Sequence, residues 1–499
     1  MDTQGKFGRF DQFIVANCSQ TKLPSLVAGL IENGKLIHSF AYGYRDIASK
    51  SPASIDTLYG VGSVTKSFTA LAVGKLVEDG KVNFHDKIRD YLPLKQKAFQ
   101  DIEIHHLLTH TSGIPGLGFA EALISRATGQ CAHPLPVVRV DDVEGFLDEV
   151  DSWPRIKPGE RMFYLNEGYY LLGDLISRVT QQSYEDYVTE EILRPLGMNR
   201  SYFDKSLIEA DRNFATPYIV RGQNVATSVF PDGSGPAGGL VTNLGDLTKY
   251  IAMLVDGGTF EGKQLVGRDT LEKMETVHVK SPISTFHGQG YGYGLRIIPD
   301  FFGRKVVGHD GSVDVFTASF LFVPNGGYGI GVMANGTGYS TERVALYGMA
   351  LLMDQDPYDL SMIRLDEVLK MIEGHYVGYK NIVQAEVRPS GSFLLLSGDD
   401  IGDNRILVPE QIGPGAATFF TLSGMAKMPV EFTFDRNGAE LTFERYKYRK
   451  TMKPNTVSHN QAEKRGSLAQ RISKSGQRTE PVLNEQCTAC FPKPPPSRF

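Results

Sequence analysis

Cysteine is scarce in this chain: 4 among 499 residues, too few to staple a disulfide scaffold. Cys18 and Cys131 read as ordinary thiols. Cys487 and Cys490 form a lone Cys-x-x-Cys without the second ligand pair a structural zinc needs. An excess of basic charge is also missing, with 52 Lys and Arg against 57 Asp and Glu and a formal net charge of -5. A surface that neutralises nucleic-acid phosphates is therefore not expected. No stretch reaches the roughly 18 apolar residues of a membrane span, so no membrane association is expected. Met1 to Phe10 has two basic residues but no apolar run behind them. That pattern is not a secretory signal, and the expected location is the cytoplasm. No internal repeat recurs at a fixed period. No cofactor or metal is expected.

What is present is ordinary for a soluble enzyme: 41% hydrophobic and 22% charged residues, in a chain too long for one core. Phe7, Phe10 and Ile14 recur at helical spacing and predict an opening helix. Leu26 to Ile31 and Lys35 to Tyr42 flank Asn33-Gly34, the turn pair of a tight hairpin. From about 78 to 258 helix signals dominate, as in Gly168 to Thr180, Tyr184 to Leu193 and Leu244 to Val255. Strand signals return at Tyr291 to Ile298, Lys305 to His309, Val315 to Val323 and Tyr328 to Ala334, before a helix over Thr341 to Met353. Strands at both ends of a helical middle predict one sheet built from both ends of the segment. After a break at Asp354 to Pro357, Gly374 to Arg449 reads as short antiparallel strands, a small barrel or sandwich. The reading is α+β, with a first domain over 1–356, a strand domain over 357–452 and a disordered tail over 453–499.

Ser63-Val64-Thr65-Lys66 lies where a strand-like stretch, Thr57 to Val61, passes into a helix. A serine hydroxyl needs a base to become a nucleophile, and on a helix residues i and i+3 share a face. Lys66 therefore reaches Ser63, provided that burial or nearby charge lowers its pKa. Ser19 to Lys22 has the same spacing, but Pro24 follows closely and disfavours a helix there. Tyr164-Leu165-Asn166 offers a second proton carrier and an amide to hold Lys66 or a substrate carbonyl. Tyr379-Lys380-Asn381 repeats that pattern in the strand domain. His309-Asp310-Gly311-Ser312 ends a strand. There a histidine can donate to a carboxylate or poise Tyr164, Gly311 permits close backbone approach, and the N–H groups of Ser63 and Ser312 can form an oxyanion hole. His105, His106 and His110 suggest a metal site by spacing alone, but no glutamate completes a His-Glu-x-x-His pattern.

The order Ser-x-x-Lys, Tyr-x-Asn, His-x-Gly resembles the penicillin-recognising serine hydrolases: class C β-lactamases, D-alanyl-D-alanine carboxypeptidases, D-aminopeptidases and β-lactamase-like esterases. Further segments share the resemblance, which covers roughly residues 10 to 353. They are His106 to Gly113, Gly168 to Gly173, Pro195 to Met198 and Ala237 to Leu240. The resemblance implies an antiparallel sheet flanked by helices with an all-helical region. It also implies Ser63 as nucleophile, Lys66, Tyr164 and His309 as catalytic partners, and Asn166, Gly311 and Ser312 at the substrate. The expected activity is hydrolysis of esters or short, D-residue-containing peptide amides through an acyl-enzyme. A β-lactamase or acyltransferase would use the same pathway, and a non-catalytic sensor or scaffold is the reading from another class. Histidine stands where many β-lactamases carry Lys-Thr-Gly, nearer to the peptidase and esterase branches. Gly374 to Gly378 leading into strands resembles the lipocalin-like domains of some relatives, read first as a stabilising or oligomer-forming module and second as a dedicated ligand binder. The sequence carries no signal of oligomeric state.

Overall fold

The structure is a computed structural model that describes residues 3–130, 142–231, 235–390 and 393–451. The expected tail, Cys131 and the Cys487/Cys490 pair lie outside the described residues. The chain divides into two units, Met1–Arg364 and Leu365–Phe499, and the division falls inside the helix Ser361–Ile372.

The first unit is built on a nine-stranded antiparallel sheet. Ser25–Glu32 lies between Tyr328–Ala334 on one side and Lys35–Asp46 on the other, so both ends of the segment supply neighbouring strands. Arg304–Ser312 pairs with Thr317–Phe322, which in turn pairs with Tyr328–Ala334. Side chains alternate across a strand. Val27 and Ile31 accordingly join one apolar cluster, while Leu26, Ala28 and Leu30 join another on the opposite face. Burial on both faces explains why this strand reads as a continuous apolar run. One cluster includes Phe10 and Ile14 of the helix Thr3–Gln20 and Val344 to Leu352 of the helix Thr341–Leu352. The other joins the sheet to Thr65–Glu78 and the helical middle. The opening helix runs through Ser19, further than Pro24 suggests. Lys22 sits beyond its end at a φ of 57°, so Ser19 and Lys22 share no helical face.

The expected strand over Tyr291 to Ile298 is two pieces, Gly290–Tyr291 and Arg296–Phe301, separated by a bend at Gly294 with a φ of 65°. The Tyr184 to Leu193 helix changes at Thr189 to a π-helical turn.

The second unit is a closed eight-stranded antiparallel barrel whose strands follow chain order from Gly374–Val377 to Tyr446–Thr451. Closure comes from pairing the first strand to the last, Tyr376 opposite Lys450. Leu394, Leu396, Phe419 and Phe432 pack inside with Val368 and Ile372 of the preceding helix. The likeness to lipocalins rests on this barrel alone, and its interior is occupied by side chains.

Candidate active site

The short strand Tyr59–Gly60 leads into a single 3-10 turn, Gly62–Val64, and then directly into the helix Thr65–Glu78. Gly62 makes the corner with a φ of 52°, and a Cβ there would stand 2.7 Å from the Ser312 backbone nitrogen. From the other side, a Cβ on Gly311 would meet the Val61 carbonyl oxygen at 1.9 Å and the Ser63 nitrogen at 2.8 Å. Two glycines thus let the nucleophile turn and the Arg304–Ser312 strand meet backbone to backbone. That contact places the backbone nitrogens of Ser63 and Ser312 on the same small region.

Lys66 is fully buried, one helical turn on from Ser63. Its Nζ lies 3.1 Å from Ser63 Oγ, 2.8 Å from Asn166 Oδ1 and 2.6 Å from the Ala237 carbonyl oxygen. Asn166 Nδ2 donates to Glu121 Oε1 at 3.3 Å, which fixes its oxygen toward Lys66. Burial pushes the Lys66 ammonium down to about 7, against the opposing pull of Glu121 and Glu167. The Tyr164 hydroxyl lies on the Ser63 side of the site, and Lys66 Nζ stands 5.0 Å from its ring centre. Burial raises the Tyr164 phenol above the ordinary tyrosine value, with the Ser63 contact pulling it back only in part. The resting residue is therefore a phenol.

Ser63, Tyr164, Asn166, Gly311 and Ser312 line a cleft of about 520 Å³. His309 does not line it. Its side chain is 1% exposed, with Nε2 2.8 Å from the Tyr291 hydroxyl and Nδ1 at the Asp310 carbonyl. Burial first, then the charges of Arg296 and Lys66, hold His309 well below the ordinary imidazole value. Its neutral ring supports the wall behind Tyr164 through Tyr291, whose ring meets that of Tyr164 edge-on at 6.4 Å.

Several cleft residues escaped the sequence reading. Arg296 forms a close ion pair with Asp310, and its Nη1 is 4.0 Å from Glu342 Oε1. All three line the cleft, as do Glu121 and Tyr170. Asp310 was legible as the middle of the His-x-Gly motif. Arg296 and Glu342 carried no local signal, because strand pairing and a helix start bring them together. Each of the three grouped histidines has a hydrogen-bond partner. His105 contacts the Tyr293 hydroxyl at 2.9 Å, His106 Nδ1 accepts the Glu103 N–H, and His110 Nδ1 accepts the Leu165 N–H. Among the described residues no group of His, Cys, Asp and Glu is arranged to hold a metal ion. Nor is any described helix long and apolar enough to cross a membrane.

A match to the β-lactamase family spans residues 10–353, and one to the Pab87 octamerisation domain spans residues 357–449. The chain belongs to the β-lactamase family, whose members are generally serine hydrolases. Among solved structures, it is 39% identical to the octameric penicillin-binding protein homologue from Pyrococcus abyssi. That superposition has a TM-score of 0.84 and covers 90% of this chain and 100% of the other. Penicillin-binding protein 4* of Bacillus subtilis is 25% identical over 427 residues, 82% of this chain and 90% of its own. Protein flp of Staphylococcus aureus is 29% identical over 335 residues, 66% of this chain. The match spans 62% of that relative's length. A D-stereospecific amidohydrolase from Streptomyces sp. shares the fold at 23% identity, with a TM-score of 0.57 over 69% of this chain and 98% of its own.

Proposed function

We propose that the chain hydrolyses esters or short-peptide amides through an acyl-enzyme on Ser63. The hydrogen count at Lys66 carries this reading. Asn166 Oδ1 and the Ala237 carbonyl only accept, so they occupy two N–H bonds of the amine. A neutral amine then has one lone pair left, and Ser63 Oγ at 3.1 Å is where it points. The Ser63 proton passes to Lys66 as Oγ attacks the substrate carbonyl, and the oxyanion forms against the N–H groups of Ser63 and Ser312. Tyr164, held as a phenol, gives its proton to the leaving group and is reprotonated by Lys66. Water repeats the sequence in reverse to release the acid. β-Lactam opening and acyl transfer would use the same atoms.

The barrel serves assembly in this reading. Its family is described as an octamerisation domain, and the Pyrococcus abyssi protein as octameric. Phe393, Ile406 and Leu422 stand exposed on its outer face, which a subunit contact would cover.

Turnover of p-nitrophenyl esters and amino-acid p-nitroanilides by the wild type, lost in Ser63→Ala, is the expected result. Turnover that survives Ser63→Ala contradicts it.

A further inference from the structure

Tyr164 has little regular structure to hold it. Met162 to Leu165 belongs to no strand or helix, and the Asn166–Thr180 helix starts only after it. The phenol must still be kept on the Ser63 side of the site. His110, which does not line the cleft, meets this stretch three times. Its carbonyl oxygen accepts the Phe163 N–H at 2.8 Å, and its Nδ1 accepts the Leu165 N–H at 3.0 Å. Between those two anchors its ring backs the Tyr164 ring, with centres 4.1 Å apart and planes inclined by 31°. The imidazole is itself fully buried, with the rings of Tyr291 and Tyr169 at 4.9 and 5.2 Å.

The backbone is bent to deliver this side chain. His110 follows the short helix Ile104–Leu108 at a φ of 60°. Glycine or asparagine ordinarily ends a helix in that conformation, because a bulkier side chain crowds its own backbone there. The helix stop alone does not call for an imidazole. Burying one also leaves its Nε2 without a hydrogen-bond partner among the described residues, a cost that a glycine would avoid. Burial, and then the charge of Lys66, holds His110 well below the ordinary imidazole value. The ring is therefore neutral, and Nδ1 keeps the lone pair that the Leu165 N–H needs.

We propose, resting on the acyl-enzyme reading of the cleft, that His110 is the positioning residue of Tyr164. By accepting the amides on both sides of the tyrosine and backing its ring, it sets the phenol where it can protonate the leaving group. A departing amine needs that proton as its bond breaks, whereas nitrophenolate leaves as a stable anion. Displacing Tyr164 therefore penalises amide substrates more than activated esters, which a residue that only fills space would not do.

Single-turnover acylation by phenylalanine p-nitroanilide and by p-nitrophenyl acetate tests this. The variants are His110→Phe and His110→Asn, each in the wild-type and the Tyr164→Phe backgrounds. His110→Phe keeps a ring and removes the acceptor. His110→Asn keeps an acceptor near the place of Nδ1, in a residue that tolerates the left-handed backbone. His110→Phe is expected to slow anilide acylation about 10- to 100-fold, several-fold more than ester acylation, and His110→Asn to recover most of that loss. Once the Tyr164 hydroxyl is removed, His110→Phe should slow the anilide by less than about twofold, since no phenol is left to position. If His110→Phe does not fold, His110→Asn, which loses the ring contact, carries the test. Its smaller loss must again fall on the anilide and vanish with the Tyr164 hydroxyl. Equal losses for the two substrates, a loss undiminished in the Tyr164→Phe background, or a wild type acylated by the ester alone overturns the inference. Absence of any covalent adduct on Ser63 in the wild type is a different result, which fails the acyl-enzyme reading itself and this inference with it.

Discussion

Replacing Lys66 by arginine keeps a cation at the same turn of the helix but removes the base, because a guanidinium does not lose its proton in a protein. Lys66→Arg is expected to lower the acylation rate by about 10²- to 10⁴-fold, the range associated with loss of a positioned general base. The wild type should show a matching pH dependence. Burial holds the Lys66 ammonium down at about 7, so below that pH the lone pair facing Ser63 is protonated. Acylation therefore rises with pH through about 7 and levels off above it. His309 is not the source of this rise, since burial and then the charges of Arg296 and Lys66 hold it well below the ordinary imidazole value. Single-turnover acylation rates against pH check the claim, and a flat profile from about pH 5 to 9 contradicts it. At this scale the sequence was informative about Ser63, Lys66, Tyr164 and Asn166, whose spacing already encodes a helix turn and a helix start. It was less informative about His309, whose motif places it correctly on a strand. Which way its ring turns depends on Tyr291, a residue 18 positions away in the chain.

Between elements, the site depends on one crossing: the Gly62 turn against the end of the Arg304–Ser312 strand. Gly311→Ala puts a methyl 1.9 Å from the Val61 carbonyl oxygen, so one backbone must move. The expected outcome is a loss of about 1–3 kcal/mol in chemical denaturation, as for other overpacked sites. Acylation falls as well, because the Ser63 and Ser312 N–H groups separate. Unchanged stability and activity would contradict the packing described. The Asn33-Gly34 hairpin and the strand Tyr328–Ala334 were legible because turn chemistry and apolar periodicity are local. The break between Tyr291 and Arg296 was not. Gly294 bends the chain where a Cβ would meet the Lys66 carbonyl at 2.6 Å, a constraint set by a distant helix. The grouping of Glu121, Arg296, Asp310 and Glu342 was hidden for the same reason, since it needs two helices and two strands at once.

For the molecule as a whole, the helix-flanked antiparallel sheet and the C-terminal barrel were legible in the strand signals at both ends of the helical middle and in the run of short strands that follows. What the barrel does was left between stabilisation, assembly and ligand binding, because alternating apolar residues describe a barrel without saying what covers its outside. Its packed interior and exposed Ile406 and Leu422 favour assembly. Sedimentation of the full chain is expected to show a multi-subunit species, and Ile406→Lys to shift it toward smaller ones. A wild-type chain that is monomeric at every concentration contradicts this. Every step proposed for the cleft depends on Ser63 being an activated nucleophile. Intact-protein mass after exposure to a fluorophosphonate, for wild type and Ser63→Ala, tests that most directly. A single adduct on the wild type, absent from the variant, is the predicted result. An unmodified wild type, or an adduct that persists in Ser63→Ala, would contradict it.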